Sequence, residues 1–240
     1  MPITVYVVDD QARAEAVDAV FDNFTLIDRT FSPYLPESAV SRINRGELEL
    51  GDAGQLVNQA ADLCRLYERA TDGYFSAWIE GRFDPSGLVK GWAIDLACSI
   101  LDAYGYCDYF VDAGGDVQTR GRNASGSPWR VGIRHPVERN KVARVILASG
   151  LAVATSGTYE KGEHILDPHT GKPADAWLSF TVTGPDILQA DVYATACFAM
   201  GVSGLDFISR VAGYEAYAID RRLRAHFTEG IDALCEPLGE

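Results

Sequence analysis

The sequence predicts an α+β fold, a largely antiparallel sheet covered by helices, and three observations predict it. Before about residue 105 the chain reads as one strand followed by long segments whose apolar residues recur at helical spacing. Beyond that point it breaks into short β-branched runs separated by Gly, Pro, Asn and Ser. No Pro/Gly/Ser-rich linker divides the two patterns, so the expectation is a single domain over residues 1–240.

The elements follow in order. "ITVYVV" (3–8) is β-branched and reads as a strand. "QARAEAVDAVFDNFTLIDRTF" places Ala16, Val17, Val20, Phe21, Phe24 and Ile27 on a helix face. "PYLPESAVSRINRGE" carries two prolines and reads as a loop, with a short helix starting at Ser38. "LVNQAADLCRLYERATDG" is a second amphipathic helix, stopped by Gly73. "LVKGWAIDLACSILDAYG" is a third, with Val89, Trp92, Ala93, Leu96 and Ile100 together. "YFVDAGG", "WRVGIR", "ARVILAS", "LAVATSG" and "LSFTVTG" are short strands. A last helix covers about 187–200 and ends at Gly201, and "AYAID" with "LRAHF" forms a closing hairpin.

Composition limits the function classes. Apolar residues make up 47% of the chain and charged residues 23%, the balance of a globular protein. The net charge of −13 argues against nucleic acid or an anionic membrane as the main partner. Five cysteines without a C-x-x-C pair indicate neither a disulfide framework nor a zinc knuckle. No apolar run is long enough for a transmembrane segment, so as written the chain is expected to be cytoplasmic, or extracytoplasmic if a leader has been removed.

Four stretches could carry chemistry. In "FDPSGLVKGWAID", Asp84, Pro85, Ser86 and Gly87 run into a helix whose first turn is expected to hold Lys90. Free amides there with a lysine suit a phosphate, although Asp or Ser also caps helices routinely. In "FVDAGGDVQTRG", Gly114 and Gly115 allow close approach of backbone to a ligand, or simply turn a hairpin. "EHILDPHTGKP" sets His164 and His169 around a turn built on Asp167-Pro168 and Thr170-Gly171. The proline between these histidines and the glycine just beyond them disfavour a zinc pair, whereas one histidine acting as acid or base is plausible. In "QADVYATACF", Asp191 and Thr195 lie four apart on one helix face, a carboxylate and a hydroxyl that suit Mg²⁺ or else a cap and a back-bonded threonine.

Taken in order, "FSPYLPESAVSRIN", "DPSGLVKG", "VDAGGD", "WRVGI", "VATSGTY", "HILDPHTGKP" and "VTGPDILQADVYATA" closely resemble the ApbE family of FAD:protein FMN transferases. The resemblance runs from about residue 30 to 200, and its most specific element is "HILDPHTGKP" with A-D-x-x-x-T downstream. It implies a T-fold-like domain that binds FAD and Mg²⁺. The activity implied is transfer of FMN from FAD to a Ser or Thr hydroxyl of a target flavoprotein, with release of AMP. By the same resemblance Asp191 and Thr195 are side-chain metal ligands and Gly87 lends a carbonyl. Asp84, Lys90 and Ile165 match FAD contacts, Tyr34 lies against the flavin, and Gly114 and Gly115 let backbone lie against the ligand. His164 matches the catalytic histidine. Tyr74, Phe75 and Ser76 stand in a further cofactor loop, where the chain departs from the family: "YFSAWIEGR" is short and has Ser76 where an aspartate is usual. The alternatives are an Mg²⁺-dependent FAD pyrophosphatase giving FMN and AMP, and a non-catalytic FAD-binding protein.

Overall fold

Most of the short β-branched runs of the second half build one sheet whose edge is the first strand of the chain. The computed structural model describes residues 1–9, 12–79, 81–138, 140–158 and 165–237. Strand β1 (Ile3–Val7) leads to helix α1 (Ala14–Phe31), the short α2 (Ala39–Asn44) and α3 (Gln55–Ala70). A two-residue pair, β2 (Trp78–Ile79) and β3 (Arg82–Phe83), precedes α4 (Ser86–Ala103). Then come β4 (Tyr109–Ala113), β5 (Asp116–Arg120), β6 (Trp129–Arg134), β7 (Val142–Ala148) and β8 (Ala152–Gly157). A second small pair, β9 (Leu166–Asp167) and β10 (Lys172–Pro173), is followed by β11 (Trp177–Gly184) and α5 (Ile187–Ala199). The chain closes with α6 (Ser203–Ile208), β12 (Glu215–Asp220), β13 (Ala225–Phe227) and α7 (Ile231–Leu234).

Seven strands form one sheet in the order β1-β4-β5-β8-β11-β12-β13, every neighbouring pair antiparallel. The α+β expectation therefore holds. β6 and β7 differ from it, because they pair with each other as a separate ribbon. The reason lies in the two faces of the sheet. Side chains alternate along a strand, so Ala152, Ala154, Phe180, Val182, Ala216 and Ala218 enter the main core with the helices. Their neighbours Val153, Tyr217 and Ile219 face the other way, into a second cluster with Trp129, Ile133, Ile146 and Ala148 of the ribbon. A ribbon that covers the far face keeps that apolar row from water.

Helix α5 sits deepest. Of its thirteen residues, eleven are buried, which fits a helix apolar nearly all round, lying between the sheet and α4. Gly91 makes the close approach of α4 possible: a Cβ there would stand 2.9 Å from both Asp191 Cβ and the Ile187 carbonyl oxygen. Among the described residues no helix is long and apolar enough to cross a membrane.

Candidate functional site

Asp191 is the one charged residue of α5 and it is only 3% exposed. A buried carboxylate needs partners, and the packing of α4 supplies two of them. The Gly91 amide donates to Asp191 Oδ2 at 2.9 Å, and the Lys90 ammonium lies 3.6 Å from Asp191 Oδ1. In a regular helix the Gly91 amide closes on the Gly87 carbonyl, so Asp191 draws on a donor that this carbonyl would otherwise claim. Burial pushes the Asp191 carboxyl well above the usual carboxylate range; Lys90 pulls it back and nearby Asp116 pushes it further up.

Asp116 completes the group. It is 2% exposed at the start of β5, directly after the Gly114-Gly115 turn. Its Oδ1 accepts the Thr155 amide of β8 at 3.0 Å, and its Oδ2 forms an ion pair with Lys90. One α5 turn beyond Asp191, the Thr195 hydroxyl shares a 3.2 Å hydrogen bond with Ser156 of β8. A Cβ on Gly87 would lie 3.9 Å from Thr195 Oγ1 and 3.3 Å from the ring of Phe75. Residues from α4, β5, β8 and α5, more than a hundred positions apart in sequence, thus converge.

The group's chemistry suits a hard cation. Two carboxylates against one ammonium leave an excess of negative charge where burial makes it costly. Among the described residues no three His, Cys, Asp or Glu side chains converge as a metal cage. Two carboxylates with a hydroxyl beside them suit Mg²⁺, which commonly takes one or two carboxylates together with substrate phosphates. Asp191 Oδ1, Thr195 Oγ1 and the Gly87 carbonyl could hold such a cation.

The other anticipated residues are placed as follows. Asp84 Oδ1 accepts the Ser86 amide at 3.0 Å, an Asx turn that leads the chain into α4. The amides of Leu88 and Val89 close on the Pro85 carbonyl, so the free donors expected at this helix start are largely used by the turn itself. Lys90 opens the second turn of α4, not the first, because the helix begins at Ser86. Gly114 and Gly115, with φ of 65° and 96°, turn the β4–β5 hairpin, and Asp112 Oδ1 accepts the Gly115 amide. Tyr74 is half-buried and stacks edge-on against His169 at 4.5 Å. Phe75 is buried beneath Gly87, and Ser76 donates to Glu68. Ile165 packs against the main core. Tyr34 stands 85% exposed in the α1–α2 loop, and no hydrogen bond or ring contact ties it to the group among the described residues. His164, the expected catalytic residue, lies outside the described residues.

Sequence reading missed Asp116 and Ser156 as site residues. Nothing periodic links positions 90, 116, 156 and 191. The signal available was an aspartate set between paired glycines and a strand, at a point where an inward-pointing charge would need a partner.

Comparison with known proteins bears on the whole arrangement. The sequence pattern of the ApbE family matches residues 76–218. The FAD:protein FMN transferase of Salmonella typhimurium is 33% identical over 146 residues, which take in 57% of this chain and 42% of that protein. The chain spans about two fifths of the length of the curated relatives it matches. Among solved structures, the ApbE protein of Thermotoga maritima shares the fold with a TM-score of 0.85 at 23% identity, over 98% of this chain and 95% of that one. The flavinyl transferase ApbE of Pseudomonas stutzeri gives 0.82 at 25% identity, over 97% and 92%. The matched segment includes α4, β5, β8 and α5, the four elements that build the buried group, and by that match the chain belongs to the ApbE family.

Proposed function

We propose that the chain, acting as one domain over residues 1–240, is an Mg²⁺-dependent FAD:protein FMN transferase that moves FMN from FAD to a Thr or Ser hydroxyl of a flavoprotein. The observation that carries the reading is the buried group of Asp191, Lys90 and Asp116 beside Thr195 and Gly87, negative in excess and lined with hard oxygen donors.

The residues divide the work. Asp191, Thr195 and the Gly87 carbonyl would hold the cation, which when bound would neutralise the diphosphate and stabilise the departing AMP. The Thr195 hydroxyl, bonded to Ser156, keeps an oxygen lone pair for it. Lys90 adds fixed positive charge near the phosphates, offsetting the −13 of the whole chain. His164 takes the proton from the acceptor hydroxyl. That oxygen bonds to the phosphorus of the FMN half, the bond from this phosphorus to the bridging oxygen breaks, and AMP leaves with the electron pair. Such a base contributes about 10²–10⁴-fold in rate. Tyr34 and the half-buried Tyr74 are the rings assigned to the flavin, while buried Phe75 supports Gly87 from below.

The test is AMP release with FAD and Mg²⁺, with and without a flavoprotein segment bearing an accessible threonine. The reading expects slow release alone and clear acceleration with the segment, because a docked hydroxyl is a pre-oriented nucleophile and a passing water is not. Free FMN and AMP formed at equal rates in both cases would make the chain a pyrophosphatase.

A further inference from the structure

Asp116 is the one member of the buried group with no part in the reaction above. The main chain fixes it, since its Oδ1 accepts the Thr155 amide at 3.0 Å and it follows a tight glycine turn. Its other oxygen forms the closer of the two ion pairs that the Lys90 ammonium makes among the described residues; the second, to Asp191 Oδ1, is 3.6 Å long. Asp191 Oδ2 is already taken by the Gly91 amide. Oδ1 is therefore the Asp191 oxygen that a cation would use, and it is also the one that Lys90 would cover if nothing held the ammonium elsewhere. Between buried charges even a small change in separation alters the attraction considerably, so the competing carboxylate decides where the ammonium rests.

We propose that Asp116 is a positioning residue: it anchors the Lys90 ammonium and thereby keeps Asp191 Oδ1 available to a divalent cation. The inference rests on the Mg²⁺ reading of the site. It gives Lys90 two duties, a charge for the phosphates and a counter-charge for Asp116, and it explains why a second buried carboxylate stands beside Asp191.

The test measures binding of Mn²⁺ alone by electron paramagnetic resonance, without FAD or turnover. Asp116→Asn keeps an acceptor for Thr155 but loses its hold on Lys90, and it should weaken Mn²⁺ binding by about tenfold, the coupling expected between neighbouring groups. Asp116→Asn with Lys90→Met has the same net charge as the wild-type trio and leaves Asp191 uncovered, so its affinity should return to within roughly threefold of wild type. Lys90→Met alone should bind Mn²⁺ at least as tightly as wild type, which keeps the test usable if Asp116→Asn does not fold. Wild-type affinity in Asp116→Asn, or a double variant as weak as the single, overturns the proposal; the second result would make Asp116 a ligand itself. Weaker binding by Lys90→Met also overturns it. Asp191→Ala separates the two levels: if it binds Mn²⁺ like wild type, the metal reading itself fails.

Discussion

Gly91→Ala tests the packing that brings the site together. A Cβ at this position would stand 2.9 Å from the Ile187 carbonyl oxygen, 2.9 Å from Asp191 Cβ and 3.1 Å from Leu188 Cα. Two of these atoms belong to the backbone of α5, so no side chain can swing aside and the helices must part. Overpacking of this kind costs about 1–3 kcal/mol. Alanine in place of a helical glycine returns about 1 kcal/mol through helix propensity. The net expectation is a loss of about 1 kcal/mol, which for a chain of this size lowers Tm by roughly 2–4 °C. The same displacement lengthens the 2.9 Å bond from the residue 91 amide to Asp191 Oδ2, so Mn²⁺ affinity should fall along with Tm. Gly51→Ala, with nothing within 4 Å of its Cβ, serves as the control and should stay within about 0.5 kcal/mol of wild type. Thermal unfolding by circular dichroism reads both. A Tm above wild type for Gly91→Ala would show the propensity gain unopposed and would refute the argument that glycine is needed for contact between α4 and α5.

Asp220 closes the β12–β13 hairpin, accepting the amides of Arg222 and Arg224 and the side chains of Arg224 and His226, and these hold its carboxyl well below the usual range. A depressed folded-state pKa stabilises above the unfolded value and is lost as pH falls, so Asp220→Asn should lower Tm at neutral pH, with the gap from wild type closing below about pH 4; a gap that persists undiminished in acid contradicts this. His164→Ala should lose about 10²–10⁴-fold in turnover while FAD affinity changes little. His169→Ala removes only an exposed ring contact with Tyr74, of a kind worth about 0.5–1.5 kcal/mol, and should cost less than about tenfold; equal, large losses in both would return the two histidines to a shared role.

Much of the fold was legible because long elements announce themselves by period. Apolar spacing picked out Ala16, Val20, Phe24 and Ile27 of the buried α1 face but wrongly added Phe21, which is exposed; Ser38 does cap α2 by accepting the Ser41 amide, and Gly73 has the positive φ of a helix stop. The two-residue pairs β2–β3 and β9–β10 and the short α6 were not legible, since none of them spans two full periods of its pattern. Nor could the alternating strands tell that β6 and β7 leave the sheet, because a ribbon facing the sheet alternates just as a sheet member does. In the buried group, Asp191 and Thr195 could be paired from the sequence because one helix turn places them together. Asp116 and Ser156 were not, because only the tertiary packing of β5 and β8 against α4 and α5 makes them neighbours.

The most direct test of the central claim is the mass of an acceptor flavoprotein segment after incubation with the chain, FAD and Mg²⁺. The account predicts one added FMN, less a water, on the acceptor threonine, no addition when that threonine is alanine, and none with the Asp191→Ala chain. An unmodified acceptor in a reaction that has nonetheless consumed FAD to free FMN and AMP would contradict it.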